Sequence, residues 1–147
     1  MHIRKASLYD APQIARLATE LGYRSTAVDI NNRLDQLMGR ADRYIAVADA
    51  GDEKILGWIA VEKRLLLESG EKAEIVGLIV TGQSARQGVG AALVKAAEKW
   101  AARRGLEHIT VRSNAEREGS HPFYEAQGYV RRKTQHVYLK SLSSNKS

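Results

Sequence analysis

Gly88-Val89-Gly90 lies in "RQGVGAALVKAAEKWAARRG", residues 86–105, where an apolar strand-like pattern gives way to a helical one. Glycines at such a junction have a chemical use. A helix start leaves its first N–H groups without intrahelical partners and carries partial positive charge. Glycine there lets a phosphate approach the backbone with no Cβ in the way. The segment is therefore a candidate anion cradle. The familiar phosphate motifs do not fit it: a Walker loop ends in Gly-Lys-Ser/Thr, and a dinucleotide fingerprint needs a third glycine where Leu93 stands. An ordinary glycine-rich loop entering a helix reads the same way, so two glycines alone do not choose.

The rest of the chain must position that junction. With 147 residues, 44% hydrophobic and 27% charged, the composition is that of one ordinary soluble domain able to bury its own core. No apolar run reaches the roughly 18 residues needed to span a membrane. The start, "MHIRKASLYD", lacks the apolar core of a secretion signal, so a cytoplasmic location is expected. The absence of cysteine excludes disulfides and a thiolate zinc site, and the four histidines are too scattered for a local metal pair, so no metal is expected. The net charge of +6 suits a polyanion: nucleic acid, an acidic surface or a phosphorylated cofactor. It suits a merely soluble surface equally well.

Residues 2–6 alternate like a short strand. Asp10 offers an N-cap to a helix carrying Pro12 in its first turn and Gln13 at the capping-box position. Ile14, Leu17 and Leu21 form its apolar face and Gly22 ends it; a second helix follows Thr26. "RYIAVADAGDEKILGWIAVEKR" predicts a hairpin turning at Ala50–Gly51–Asp52, and the next turn falls near Ser69–Gly70. Ile75 to Val80 is almost wholly apolar, as in a central strand covered on both faces. After the helix opened by Gly88 come a strand in "LEHITVRS", a short helix containing "FYEAQ", and a closing strand in "YVRRKTQHVYLK". The expected fold class is α/β in the mixed α+β sense: a mostly antiparallel sheet of about 6–7 strands flanked by about four helices. One domain is expected over 1–140, with 141–147 a flexible tail.

The segment "EIVGLIVTGQSARQGVG", residues 74–90, resembles the acyl-CoA-binding motif of the GNAT superfamily of N-acetyltransferases. Members show Gln/Arg-x-x-Gly-x-Gly/Ala after a buried strand, and the loop amides wrap the CoA pyrophosphate. The first position of that motif is Ala85 here, with Arg86 beside it. A second stretch, "SNAEREGSHPFYEAQGYV" at 113–130, resembles the later motif of the same family through Asn114, Arg117, His121, Phe123, Tyr124, Gly128 and Tyr129. Gly119 and Pro122 are unusual there and predict a short helix starting late, near Ser120. The element order is also that of the family, so the resemblance covers nearly the whole chain.

The resemblance implies amine acetylation from acetyl-CoA, used as a cosubstrate. That chemistry needs a neutral amine, a held acyl group, stabilised oxyanion charge and a proton for the departing thiolate. Glu74, fourteen positions before Gly88, matches the glutamate of histone-type members and is the candidate base. With a pKa of about 4.3 in water, it needs burial or an intervening water to serve; the alternative is a surface glutamate at a strand end. The backbone of Leu78, Ile79 and Val80 is expected beside the pantetheine arm, on a strand that in the family splays from its neighbour. Ala85, Arg86, Gln87, Gly88, Val89, Gly90 and Ala91 form the expected pyrophosphate cradle. Asn114 and Arg117 are further candidate CoA contacts. Tyr124, a phenol with a pKa of about 10, is the candidate acid, against plain packing with Phe123 and Tyr129. His121 reads as a packed histidine.

Two other function classes compete. An acyl-CoA-binding sensor without catalysis keeps the cradle but has no need of Glu74 or Tyr124. Nucleic-acid binding wants a basic face with interleaved aromatics, for which "VRRKTQHVYLK" is the sole candidate and more simply a strand. Neither nucleic acid nor membrane is expected as a partner, and a homodimer is left open. The acceptor is a small-molecule or peptide amine, expected at the "LGYRSTAVD" loop, the two early helices and the hairpin near Arg64 to Glu71, with Tyr23 and Arg24 the candidate contacts. A basic protein suits polycationic acceptors poorly, although Glu68, Glu71 and Glu74 offer local acidity that offsets this.

Overall fold

The computed structural model describes residues 1–82, 88–112 and 120–143, the side chains of Ser120 and His121 excepted. The chain forms two compact units, Met1–Arg112 and Ser113–Ser147.

In the first unit the order is β1 (His2–Lys5), a 3-10 turn (Leu8–Asp10), α1 (Ala11–Glu20), α2 (Ala27–Leu37), β2 (Arg43–Asp49), β3 (Ile55–Leu66), β4 (Gly70–Val80), α3 (Val89–Arg103) and β5 (Ile109–Val111). The strands lie in the order β1-β2-β3-β4-β5. The first three pairings are antiparallel and β4–β5 is parallel, so α3 is the crossover that a parallel pair requires. The second unit holds α4 (Ser120–Ala126); the residues before it, on which the expected start depends, lie outside the described residues.

Register sorts the faces. Val47 stands opposite Trp58, and Trp58 opposite Ile79. These side chains leave one face and pack with Ile14, Leu17, Ala18 and Leu34 of α1 and α2. On the other face Tyr44 stacks on Trp100 of α3 with ring centroids 5.8 Å apart. Leu17, Ile59 and Leu93 are fully buried, each contributing about 1.5–3 kcal/mol.

Local signals are used in part as expected. Thr26 caps α2, its hydroxyl accepting from Asp29 N–H at 3.1 Å. Asp10 precedes α1 but makes no side-chain cap. It accepts instead from Arg4 Nη2 at 2.8 Å and from Ser7 N–H at 2.8 Å. Burial alone would raise the Asp10 carboxyl; the Arg4 guanidinium and the Ser7 amide outweigh it and hold the group below the usual carboxylate range. Arg4 also reaches Asp49 at 2.9 Å, tying β1 to the end of β2. Gln13 closes no capping box. Its amide oxygen accepts from Ile55 N–H at 2.7 Å and its nitrogen donates to the Glu53 carbonyl, so it holds the hairpin turn to α1.

The sheet has five strands among the described residues, not six or seven. The expected closing strand, residues 129–140, takes no strand conformation. A strand exists only where a neighbour takes up its amides. This segment has no ladder partner among the described residues, and alternation in sequence cannot supply one.

Gly57 shows how closely the layers meet. A Cβ there would lie 2.7 Å from the Ile79 carbonyl oxygen and 3.2 Å from Leu93 Cδ1 of α3. Gly57→Ala is expected to lose about 1–3 kcal/mol of stability by urea denaturation. Gly39→Ala, with nothing among the described residues within 4 Å of the added methyl, serves as the neutral control. Equal midpoints for the two variants would refute the close approach.

Candidate active site

The site grows from a fault in β4. Ala60 pairs with Gly77 but Val61 pairs with Ile75, so Val76 is an extra residue with no partner on β3. Val76 is 53% exposed. Among the described residues, pairing with β5 covers Ala73, Glu74 and Ile75. Beyond Ile75, that edge of β4 carries no strand among the described residues. The bulge and the end of pairing coincide, as expected where an extra residue bends a strand away from its neighbour.

The open edge presents backbone. Thr81 N–H bonds the Leu56 carbonyl at 2.8 Å, so it faces β3. By alternation the amide of Ile79 faces β3 too, and those of Leu78 and Val80 turn to the open edge. The start of α3 lies near this end of β4. Both Val80 Cα and Leu93 Cδ1 come within 3.2 Å of the point where a Gly57 Cβ would be.

Gly88 caps α3 with φ +78° and ψ 9°, a left-handed conformation that L side chains rarely adopt. Among the described residues nothing lies within 4 Å of where its Cβ would project. The first bond of the helix runs from Ala92 N–H to the Gly88 carbonyl at 3.0 Å. The N–H groups of Val89, Gly90 and Ala91 therefore have no intrahelical acceptor. The Val89 side chain is 1% exposed and belongs to the core, leaving its amide as the group it can offer a ligand. Ala85, Arg86 and Gln87, like Asn114 and Arg117, lie outside the described residues.

Glu74 is buried, 6% exposed. Arg64 Nη1 donates to its Oε2 at 3.3 Å, Thr110 Oγ1 donates to its Oε1 at 3.3 Å, and Arg112 Nε lies 3.8 Å from Oε1. Such partners are what a carboxylate needs to remain inside a protein. None of the three was singled out from the sequence as a partner of Glu74; Arg64 entered only as the start of the hairpin expected near the acceptor. Thr110 and Arg112 alternate in "HITVR", which marks them as sharing a strand face, but only β4–β5 register shows that this face is Glu74's.

Tyr23 and Arg24 sit in the loop between α1 and α2, both exposed. In the second unit Tyr124 packs edge-on against Phe123 at 5.1 Å and against Tyr129 at 5.9 Å. Burial pushes its phenol above the ordinary value. Among the described residues no group of three or more His, Asp or Glu is placed to hold a metal ion, and no helix is long and apolar enough to cross a membrane.

Comparison with known proteins agrees with this geometry. The model of the acetyltransferase (GNAT) family matches residues 8–129. An aminoglycoside 6'-N-acetyltransferase from Acinetobacter haemolyticus superposes with a TM-score of 0.82 at 17% identity, covering 97% of this chain and 100% of that one. A glucosamine-6-phosphate N-acetyltransferase from Arabidopsis thaliana gives 0.79 at 18%, with 95% and 98% covered. A transcriptional regulator from Bacillus halodurans gives 0.78 at 26%, with 95% and 97% covered. No curated protein matches the chain in sequence.

The Tyr124 phenol is expected to stay protonated through neutral pH and to ionise only above 10. A ring-carbon NMR titration of tyrosine-labelled protein, assigned with Tyr124→Phe, reads this directly. Ionisation at or below 10 would contradict the desolvated setting.

Proposed function

The chain belongs to the acetyltransferase (GNAT) family, and from that premise we propose that it transfers an acetyl group from acetyl-CoA to a primary amine by direct attack in a ternary complex. The edge of β4 beyond Val76, which carries no strand among the described residues, supports this reading. A pantetheine arm would bond Leu78 and Val80 as an added strand does, and an outward amide would polarise the acetyl carbonyl. Ile79 completes that strand. The arrangement at Gly88 fits a diphosphate: a left-handed glycine followed by the amides of Val89, Gly90 and Ala91, which have no acceptor within the helix. Ala85, Arg86 and Gln87 would complete the cradle, Asn114 would bond pantetheine and Arg117 would meet phosphate. The proposed domain runs over 1–140, a span supported by a family match that crosses both units, and the proposed location is cytoplasmic.

Acetyl-CoA supplies an activated acyl carbon and a thiolate leaving group. Glu74 would take the amine proton, directly or through a water, as the nitrogen bonds to the acyl carbon and the C–S bond breaks. Tyr124 would hand its proton to the sulfur; a phenol held protonated by burial suits that task. With no cysteine in the chain, direct transfer needs no thiol acyl-enzyme. Tyr23 and Arg24 are the proposed acceptor contacts on the α1–α2 loop.

The likeness to a protein described as a transcriptional regulator favours a second reading, an acyl-CoA sensor without turnover. Two measurements separate the readings. Equilibrium titration with acetyl-CoA should saturate for the wild type and fail for Gly88→Asp, which sets a carboxylate where the diphosphate would sit. No binding by the folded wild type would sink both readings. In a thiol-release assay, Tyr124→Phe and Glu74→Gln should each lower kcat by about 10²–10⁴ while acetyl-CoA still binds. Binding without turnover of any amine would favour the sensor.

A further inference from the structure

Glu74 stands in a row of charge. Arg43, Glu62, Glu74 and Thr110 lie directly opposite one another across β2, β3, β4 and β5, so all four leave the same sheet face. Arg64 and Arg112, two residues beyond Glu62 and Thr110, leave it as well. Ion pairs link the row end to end: Arg43 to Glu62, Glu62 to Arg64 at 3.9 Å, Arg64 to Glu74 at 3.3 Å, and Glu74 to Arg112 at 3.8 Å. Each of the two glutamates lies between two guanidiniums. At one end Arg43 also meets the Asp42 carboxylate at 3.8 Å, so the guanidinium left toward solvent is at the other end, on Arg112.

What this row shows to solvent is cationic. The Arg112 side chain is 65% exposed and that of Arg64 32%, against 7% for Glu74. On the other face Glu71 is taken up by Lys63 at 2.6 Å. Two of the three glutamates that offered acidity for a polycationic acceptor are thus neutralised where they stand. A ligand reaching Glu74 meets guanidinium N–H groups first. Those donors match carboxylate and phosphate oxygens in pairs and repel ammonium groups.

We infer that the acceptor is a primary amine carrying its own acidic group, a carboxylate or phosphate, close to the nitrogen. Arg112, with Arg64 behind it, binds that group and sets the amine toward Glu74. The inference rests on the proposed transferase reading, in which Glu74 marks the acceptor end. The acidic group takes no part in bond making: the amine nitrogen gains the acyl carbon, the sulfur leaves, and the proton passes to Glu74. The overall charge of +6 favours the approach of such an acceptor as it does that of CoA.

The test uses matched amines with the full-length protein at saturating acetyl-CoA, followed by thiol release. The pairs are ethanolamine with phosphoethanolamine, and propylamine with β-alanine; spermidine serves as the polycation. At least one acid-bearing member should exceed its partner and spermidine by about tenfold or more in kcat/KM, mainly through KM. The two pairs separate phosphate from carboxylate. Arg112→Gln should remove about tenfold of that preference by raising KM, and Arg112→Lys should recover part of it. Preference for a neutral amine or for spermidine overturns the inference while leaving the transferase reading intact. So does a preference that Arg112→Gln leaves unchanged. Acetylation of none of the five amines by protein that binds acetyl-CoA overturns the transferase reading and the acceptor class with it.

Discussion

One extra residue in β4 governs the rest. Glu62 and Trp58 on β3 are four residues apart and share a face; their partners Glu74 and Ile79 on β4 are five apart. In a regular strand an odd separation sends two side chains to opposite faces. The bulge at Val76 restores the parity. It lets Ile79 enter the core under α1 and α2 while Glu74 keeps its place among the arginines of the same face. Among the described residues the same bulge falls where β5 pairing ends, so the core, the charged row and that edge of β4 meet at one point.

The layers around β4 hold that point in place. Gly57 lets β3 lie against the Ile79 carbonyl with Leu93 of α3 directly behind, so the start of α3 is set by packing at the end of β4. At the far edge, Arg4 joins Asp10 and Asp49, and Gln13 ties α1 to the β2–β3 turn. These polar ties do what an apolar contact cannot: they fix where a chain enters a helix, because their geometry is directional.

What the sequence made legible follows from how local each signal is. The helix starts at Thr26 and Gly88 and the turn at Ala50–Gly51–Asp52 were readable, because a cap or turn is decided by a few neighbouring residues. Asp10 and Gln13 carried capping signals that lost to partners 6 and 42 residues away. Residues 129–140 showed the alternation of a strand, but strand formation is settled by a neighbour that sequence does not name. Glu74 was found through the motif around it. Arg64, Thr110 and Arg112 were not, since only register brings them to it.

Stability alone gives no reason for the charged row. A carboxylate buried beside guanidiniums costs several kcal/mol of desolvation per ion, and well-packed apolar residues of similar size hold a sheet face at least as well. The neighbouring half of the same face does so, with Val47, Trp58 and Ile79 under α1 and α2. Two halves of one face thus solve the same packing problem in opposite ways. The apolar half is covered by helices, and the charged half ends in the exposed guanidinium of Arg112. A row that is dearer than its apolar neighbour and turns the exposed guanidinium of Arg112 outward has the physical character of a surface meant to meet a charged ligand.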